Sequence, residues 1–161
     1  MHKQYIVIHA ERQQMFCYND DLLSYTYSVS TGKNGLGEKQ DSECTPRGLH
    51  KIHSIIGLEH AINSVFVGRV WTGEIYTPQL AQDCPKRDWI LTRILRLEGL
   101  EDGCNKGGDV DTLKRFIYIH GTPDITVLGT PNSRGCIRMN KQDIVTLAEW
   151  VHVGTHVFIE S

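Results

Sequence analysis

The sequence predicts a mostly β (α+β) domain with one main helix. Three observations carry this reading. Residues 23–30 alternate strictly, with Leu23, Tyr25, Tyr27 and Val29 on one face and Ser24, Thr26, Ser28 and Ser30 on the other, the period-2 pattern of a half-buried strand. Further apolar runs are short, numerous and bounded by turn residues, a spacing unsuited to a βαβ fold. Only one segment carries a strong helical stripe, with Ile144, Leu147, Ala148 and Val151 at i, i+3, i+4 and i+7.

Taken in chain order, Tyr5 to Ile8 and Met15 to Tyr18 are short strands joined by the polar turn Glu11-Arg12-Gln13-Gln14. With residues 23–30 they make a meander. Thr31-Gly32-Lys33-Asn34-Gly35-Leu36-Gly37 breaks the pattern. It lacks the Gly-Lys-Ser/Thr of a phosphate-binding loop and no helical pattern follows it, so it reads as a connection. Thr45-Pro46-Arg47-Gly48 is a second turn, leading into a strand at Leu49 to Ile56. Apolar runs follow at Val65 to Val70, Trp89 to Leu97 and Phe116 to Ile119, the last two separated by a polar loop from Glu101 to Asp109. The helix runs from Asp143 onward, capped by Asn140 or Asp143 and ended by Gly154, and a closing strand spans His156 to Ile159. No repeat or linker divides the chain, and residues 1–161 are expected to form a single domain, large enough to bury a core unaided.

Composition narrows the function classes. Seventeen basic and nineteen acidic residues leave a net charge of −2, against a nucleic-acid partner, which calls for a basic footprint. No polybasic patch and no run near the apolar length of a membrane span is present, so no membrane partner is expected. The first residues contain no secretory signal. The five cysteines (17, 44, 84, 104, 136) are odd in number and form no Cys-x-x-Cys pair. Both features predict a cytoplasmic location, or a periplasmic one if an export signal precedes these residues.

The chemistry concentrates in residues 118–140. His120 ends an apolar run and precedes Gly121; sixteen positions after His120 comes Cys136, within Ser133-Arg134-Gly135-Cys136-Ile137-Arg138. A thiolate is the reactive form of cysteine, and an adjacent imidazole can generate it near neutral pH. Glycine before the cysteine lets backbone approach a substrate carbonyl closely, and consecutive N–H groups there can form an oxyanion hole.

This segment resembles the motif of the L,D-transpeptidase catalytic domain (YkuD) family: His-Gly-Thr, a loop, then Ser-His-Gly-Cys followed by an apolar residue and Arg or Asn. Val29-Ser30-Thr31-Gly32-Lys33, Thr45-Pro46-Arg47-Gly48 and Gly154-Thr155-His156-Val157 resemble further family landmarks, so the resemblance runs from about Gln4 to Glu160. It implies a β-sandwich or barrel with its main helix after the catalytic cysteine. It also implies that Cys136 is the nucleophile, His120 the general base, and the Gly121 carbonyl the group that fixes the imidazole tautomer. Gly135 and Cys136 would supply oxyanion N–H groups, and Ser133, Arg134 and Arg138 would contact substrate. One position departs from the pattern. Arg134 stands where the family carries His, and a guanidinium cannot act as a base at neutral pH; it could lower the Cys136 pKa or hold a substrate carboxylate.

The implied reaction is acyl transfer on peptidoglycan stem peptides or muropeptides. Cys136 would form a thioester with release of terminal D-alanine, and carbapenem-type β-lactams would be covalent inhibitors. With no export signal, the expected role is a cytoplasmic L,D-carboxypeptidase that trims recycled tetrapeptides to tripeptides. The alternatives are an L,D-transpeptidase that cross-links or exchanges D-amino acids, and a non-catalytic module that binds stem peptides. A thiol redox sensor would need a resolving cysteine near Cys136, and sequence proximity offers none.

No cofactor and no metal site is expected. His50 and His53 point to opposite faces of a strand. Gly154 denies His152 and His156 a common helical face. Cys17, Cys44, Cys84 and Cys104 read as small core or surface residues, and Trp71, Tyr76 and Trp89 as core packing in preference to the lining of a pocket. Arg93, a charge inside an apolar strand, reads either as a buried pair or as a substrate anchor.

Overall fold

Two short apolar runs and the alternating residues 23–30, separated by polar turns, produce the meander. In the computed structural model, which describes residues 3–161, β1 (Gln4–His9), β2 (Gln14–Asn19) and β3 (Leu22–Ser30) pair antiparallel in order. The first two positions of the expected 1–161 domain lie outside the described residues. Ile6, Ile8, Met15, Cys17 and Val29 turn inward and are fully buried. The remaining elements are β4 (Gly48–Ile56), β5 (Ser64–Val67), β6 (Val70–Ile75), α1 (Pro78–Asp83), β7 (Ile90–Gly99), β8 (Tyr118–Thr122), β9 (Ile137–Asn140), α2 (Lys141–Trp150) and β10 (His156–Glu160).

Eight strands close on themselves in the order β4-β10-β1-β2-β3-β9-β8-β7, and β7 returns to β4. Among the strands of the described residues, only β1–β10 and β8–β9 pair parallel. The inward faces join Ile144, Leu147 and Ala148 of α2 in one core, so the helix packs inside the curve of the sheet. Its Asn140 cap accepts from the N–H groups of Gln142 and Asp143, satisfying donors that the first helical turn leaves open. The architecture is mostly β with one main helix, as the alternating segment, the short apolar runs and the single helical stripe predict.

Three local expectations change. The apolar run Val65 to Val70 is two strands, because Gly68 and Arg69 both adopt positive φ (57° and 67°), the geometry of a two-residue hairpin turn. This β5–β6 hairpin branches from the edge of β7 outside the closed circuit. Helix α1 had no apolar stripe to betray it: it is six residues long and buries none of them, and it starts from a Thr77 cap with proline in its first turn. Helix α2 begins at Lys141, two residues before the expected start, and ends at the Val151 cap, with Gly154 serving the turn into β10.

Candidate active site

The parallel pair β8–β9 builds the site. Its register sets Ile119 beside Ile137 and His120 beside Arg138. Side chains alternate along each strand, so Ile119, Ile137 and Met139 enter the core while Tyr118, His120 and Arg138 share the opposite face. Cys136, two residues before Arg138, falls on that same face. It packs against a second, smaller cluster of Phe66, Ile94 and Tyr118 beneath the β5–β6 hairpin.

His120 is buried, with Nδ1 2.7 Å from the Gly121 carbonyl. A carbonyl only accepts, so Nδ1 carries the hydrogen and Nε2 is left with its lone pair, the form a general base requires. Gly121 is there for steric reasons. A Cβ would sit 2.6 Å from Thr92 Oγ1 and 2.7 Å from the Leu91 carbonyl, where β7 bulges and Thr92 takes φ 76°.

Burial pulls the His120 imidazole below its ordinary 6.5, against the Gly121 carbonyl and Asp88, which raise it. Burial also pushes the Cys136 thiol up to about 12; the Tyr118 N–H, Arg138 and Arg115 pull it back, while Asp88 pushes with the burial. Burial thus favours the uncharged form of both groups. The Cys136 S–H donates to the Phe116 carbonyl at 3.4 Å and Sγ accepts from Tyr118 N–H at 3.3 Å. Among the described residues no hydrogen bond links it to His120.

The remaining expected residues separate into different roles. Ser133 is buried; its Oγ accepts from Gly135 N–H and donates to the Cys136 carbonyl, so it braces the turn that carries the cysteine. The same bond engages the Gly135 N–H expected for the oxyanion hole. Gly135 has φ 121°, and a Cβ there would lie 3.0 Å from the Cys44 carbonyl, which explains the glycine by backbone geometry alone. Arg138 Nη2 donates to Asp88 at 2.9 Å and Nη1 to the Asn132 carbonyl. Arg134 is exposed and lines two clefts, but the guanidiniums that bear on the Cys136 thiol are those of Arg138 and Arg115.

Asp88 and Arg115 escaped the sequence reading, because no spacing ties them to His120 or Cys136; strand topology alone brings them there. Arg115 donates to the Cys44 carbonyl at 2.7 Å, and this fixes the loop beneath Gly135. Arg93, left open above, donates to the His60 and Thr92 carbonyls and holds the β7 bulge. Tyr76 and Trp89, expected in the core, instead meet edge to face and line a cleft of about 760 Å³. Arg87 lies over Trp89 and pairs with Glu74. Trp71 is exposed on the hairpin, donating to the Glu74 carbonyl.

Arg87 and Trp89 also line the cleft of about 180 Å³ that contains Asp88, Arg134 and Arg138. On the other side of the cysteine turn, Arg134 shares a space of about 150 Å³ with Arg115, Asp41 and Glu43. A neutral thiol, an imidazole base of fixed tautomer and flanking clefts can together perform acyl transfer.

The family model described as the L,D-transpeptidase catalytic domain matches residues 3–159. No curated protein matches the chain. Among solved structures, an L,D-transpeptidase from Mycobacterium smegmatis is 16% identical with a TM-score of 0.62, over 99% of this chain and 59% of that one. An L,D-transpeptidase from Enterococcus faecium is 15% identical with a TM-score of 0.60, over 98% and 50%. L,D-transpeptidase 3 from Mycobacterium tuberculosis, in complex with a faropenem-derived adduct, is 15% identical with a TM-score of 0.60, over 99% and 61%. At such identity the likeness is one of fold, and this chain spans between half and about three-fifths of those structures.

Proposed function

The chain belongs to the L,D-transpeptidase catalytic domain family, and on that premise we propose that it is a cysteine acyltransferase acting on peptidoglycan stem peptides. One observation carries the proposal: His120 Nδ1 is tied to the Gly121 carbonyl at 2.7 Å, leaving Nε2 as a base on the face it shares with Cys136. As Sγ attacks the carbonyl between the third residue and the terminal D-alanine, the thiol proton passes to Nε2. The C–N bond then breaks, His120 returns that proton to the departing amine, and a thioester remains on Cys136. Arg138, held by Asp88, faces the small cleft and supports binding of a substrate carboxylate.

The acceptor in this reading is water, giving an L,D-carboxypeptidase that converts tetrapeptide muropeptides to tripeptides. Support comes from the two small spaces at the cysteine turn, of which only the one at Arg138 shares Arg87 and Trp89 with the larger cleft. The clefts joined at Arg87 and Trp89 have room for a donor stem. The space beyond, narrowed by Arg115 and Arg134, is about 150 Å³, several times the roughly 30 Å³ share of a water molecule but small for a second stem peptide.

Incubation with a disaccharide tetrapeptide, with and without a second stem peptide, tests both levels. Free D-alanine with a tripeptide is the expected product; a cross-linked dimer would move the assignment to transpeptidation. A relative of the same fold carries a faropenem-derived adduct. Accordingly a carbapenem should add its mass at Cys136 alone and none should add to Cys136→Ala. Turnover by a folded Cys136→Ala protein would remove Cys136 as nucleophile.

A further inference from the structure

The tip of the β5–β6 hairpin touches the segment that holds the thiol. Arg69 Nη1 donates to Tyr118 Oη at 2.9 Å, and its guanidinium carbon lies 4.3 Å above the centre of the Phe116 ring. The backbone of those two partners grips Cys136, with the Phe116 carbonyl accepting from Sγ and the Tyr118 N–H donating to it. Phe116 has φ 58°, a left-handed conformation that a bulky side chain adopts only when its surroundings hold it. Its ring is half exposed apart from the Arg69 cover. Arg69 is itself one of the two positive-φ residues of the hairpin turn.

We propose that Arg69 is a positioning residue: it holds the Cys136 S–H on the Phe116 carbonyl instead of on His120, and displacement of the hairpin tip releases the thiol to its base. The inference rests on Cys136 being the nucleophile of the proposed reaction. The hairpin branches outside the closed strand circuit, so its tip can shift without opening the main core. A ligand that enters beneath it would activate the nucleophile by its own binding.

Carbamidomethylation by iodoacetamide, located by peptide mass over a range of pH, reads this directly. Arg69→Met keeps the stem but removes the donor and the cation. It should speed labelling of Cys136 at pH 7 by about tenfold, the scale of losing one charge-assisted hydrogen bond, and move the labelling curve to lower pH as His120 accepts the proton. Tyr118→Phe removes the same hydrogen bond from the other side and should act in the same direction. Arg69→Lys, which cannot span both partners in a planar fork, should fall between. Asp88, Arg138, Arg115 and His120, the charged and titratable groups around Cys136, are unchanged in all three variants. Buried Cys17 is the internal control. If its labelling rises in parallel, the variants have merely loosened the fold and the proposal fails. Unchanged Cys136 labelling in both Arg69→Met and Tyr118→Phe also overturns it. Tetrapeptide turnover separates the two readings: faster labelling in Arg69→Met without turnover by the parent protein keeps the latch and removes the peptidase.

Discussion

Cys136 and His120 are each held towards the uncharged form, and the pH dependence of the reaction follows from that. His120 is pulled below 6.5 by burial, so the free protein keeps a neutral base down into mildly acidic solution. Cys136, pushed up to about 12, has no ionisation near neutrality. The thiol must lose its proton during attack, and only the state of His120 then limits kcat/KM. The expected profile rises through a single acid limb below pH 6.5 and stays level to about pH 9. A standing ion pair would behave differently, losing activity on the alkaline side as the imidazolium gives up its proton. An alkaline limb between pH 7 and 9 would therefore reject the neutral pair. Asp88 is the residue that composition could not flag. It raises the His120 pKa and anchors Arg138 at 2.9 Å, so it tunes the base and positions the cation together.

At the scale of elements, the site depends on the fit between β7 and β8. The β7 bulge cannot retreat from Gly121, because Thr92 Oγ1 donates to the Ile62 carbonyl at 2.6 Å and Arg93 binds the Thr92 carbonyl. Gly121→Ala should therefore cost about 1–3 kcal/mol, the range for inserting a methyl group into a packed site. It should also slow carbapenem acylation of Cys136 by displacing the carbonyl that holds His120. Thermal melts and acylation rates of the single variant and of Gly121→Ala/Thr92→Gly check this, since removing the Thr92 side chain opens part of the space. An Ala variant as stable as the parent would contradict the steric account. The same pairing explains what the sequence made legible. His120 and Gly121 lie on β8 and Cys136 directly precedes β9, so they were visible as a motif, and short apolar runs with one alternating segment exposed most strands. Ser133 and Gly135 were visible too, but their roles were not. Whether a hydroxyl faces substrate or its own turn depends on backbone angles, which residue type does not encode. Gly68-Arg69 hid a hairpin inside an apolar run for the same reason. Asp88, Arg115 and Arg69 reach the site through pairings between distant segments, and no local pattern announces such pairings.

For the whole molecule, closure of the strand circuit has a consequence for acid stability. His50 lies on β4, paired with Val157 of β10 and Gly99 of β7, where the circuit joins. It is fully buried, with Nδ1 3.0 Å from the Gly48 carbonyl and Nε2 2.9 Å from Thr112 Oγ1. Nδ1 must donate to the carbonyl, and in the neutral ring that burial favours Nε2 accepts from the hydroxyl. Burial lowers its pKa from 6.5 to about 4, although Gly48 and Glu101 oppose the shift. Between those values the unfolded chain binds a proton that the folded chain refuses, so stability is complete above pH 6.5 and declines as the pH falls towards 4. The difference corresponds to about 3 kcal/mol in all. His120 is depressed by burial as well and adds a loss of the same sign. Glu38 and Asp111, held below 4.5 and 3.8 by Arg47 and by backbone N–H groups, act only at lower pH, while burial raises the Asp143 carboxyl, so its protonation opposes the loss from the histidines. Urea midpoints at pH 7.5, 6.5, 5.5 and 4.5 should therefore fall steadily. In His50→Asn, whose amide can still donate to the Gly48 carbonyl, the starting midpoint should be lower and the slope shallower by one proton. The residual fall belongs to His120 and should vanish in His50→Asn/His120→Asn. An unaltered slope in His50→Asn would mean that the closing strands open to water before the chain unfolds, and the circuit would no longer be the unit that resists acid.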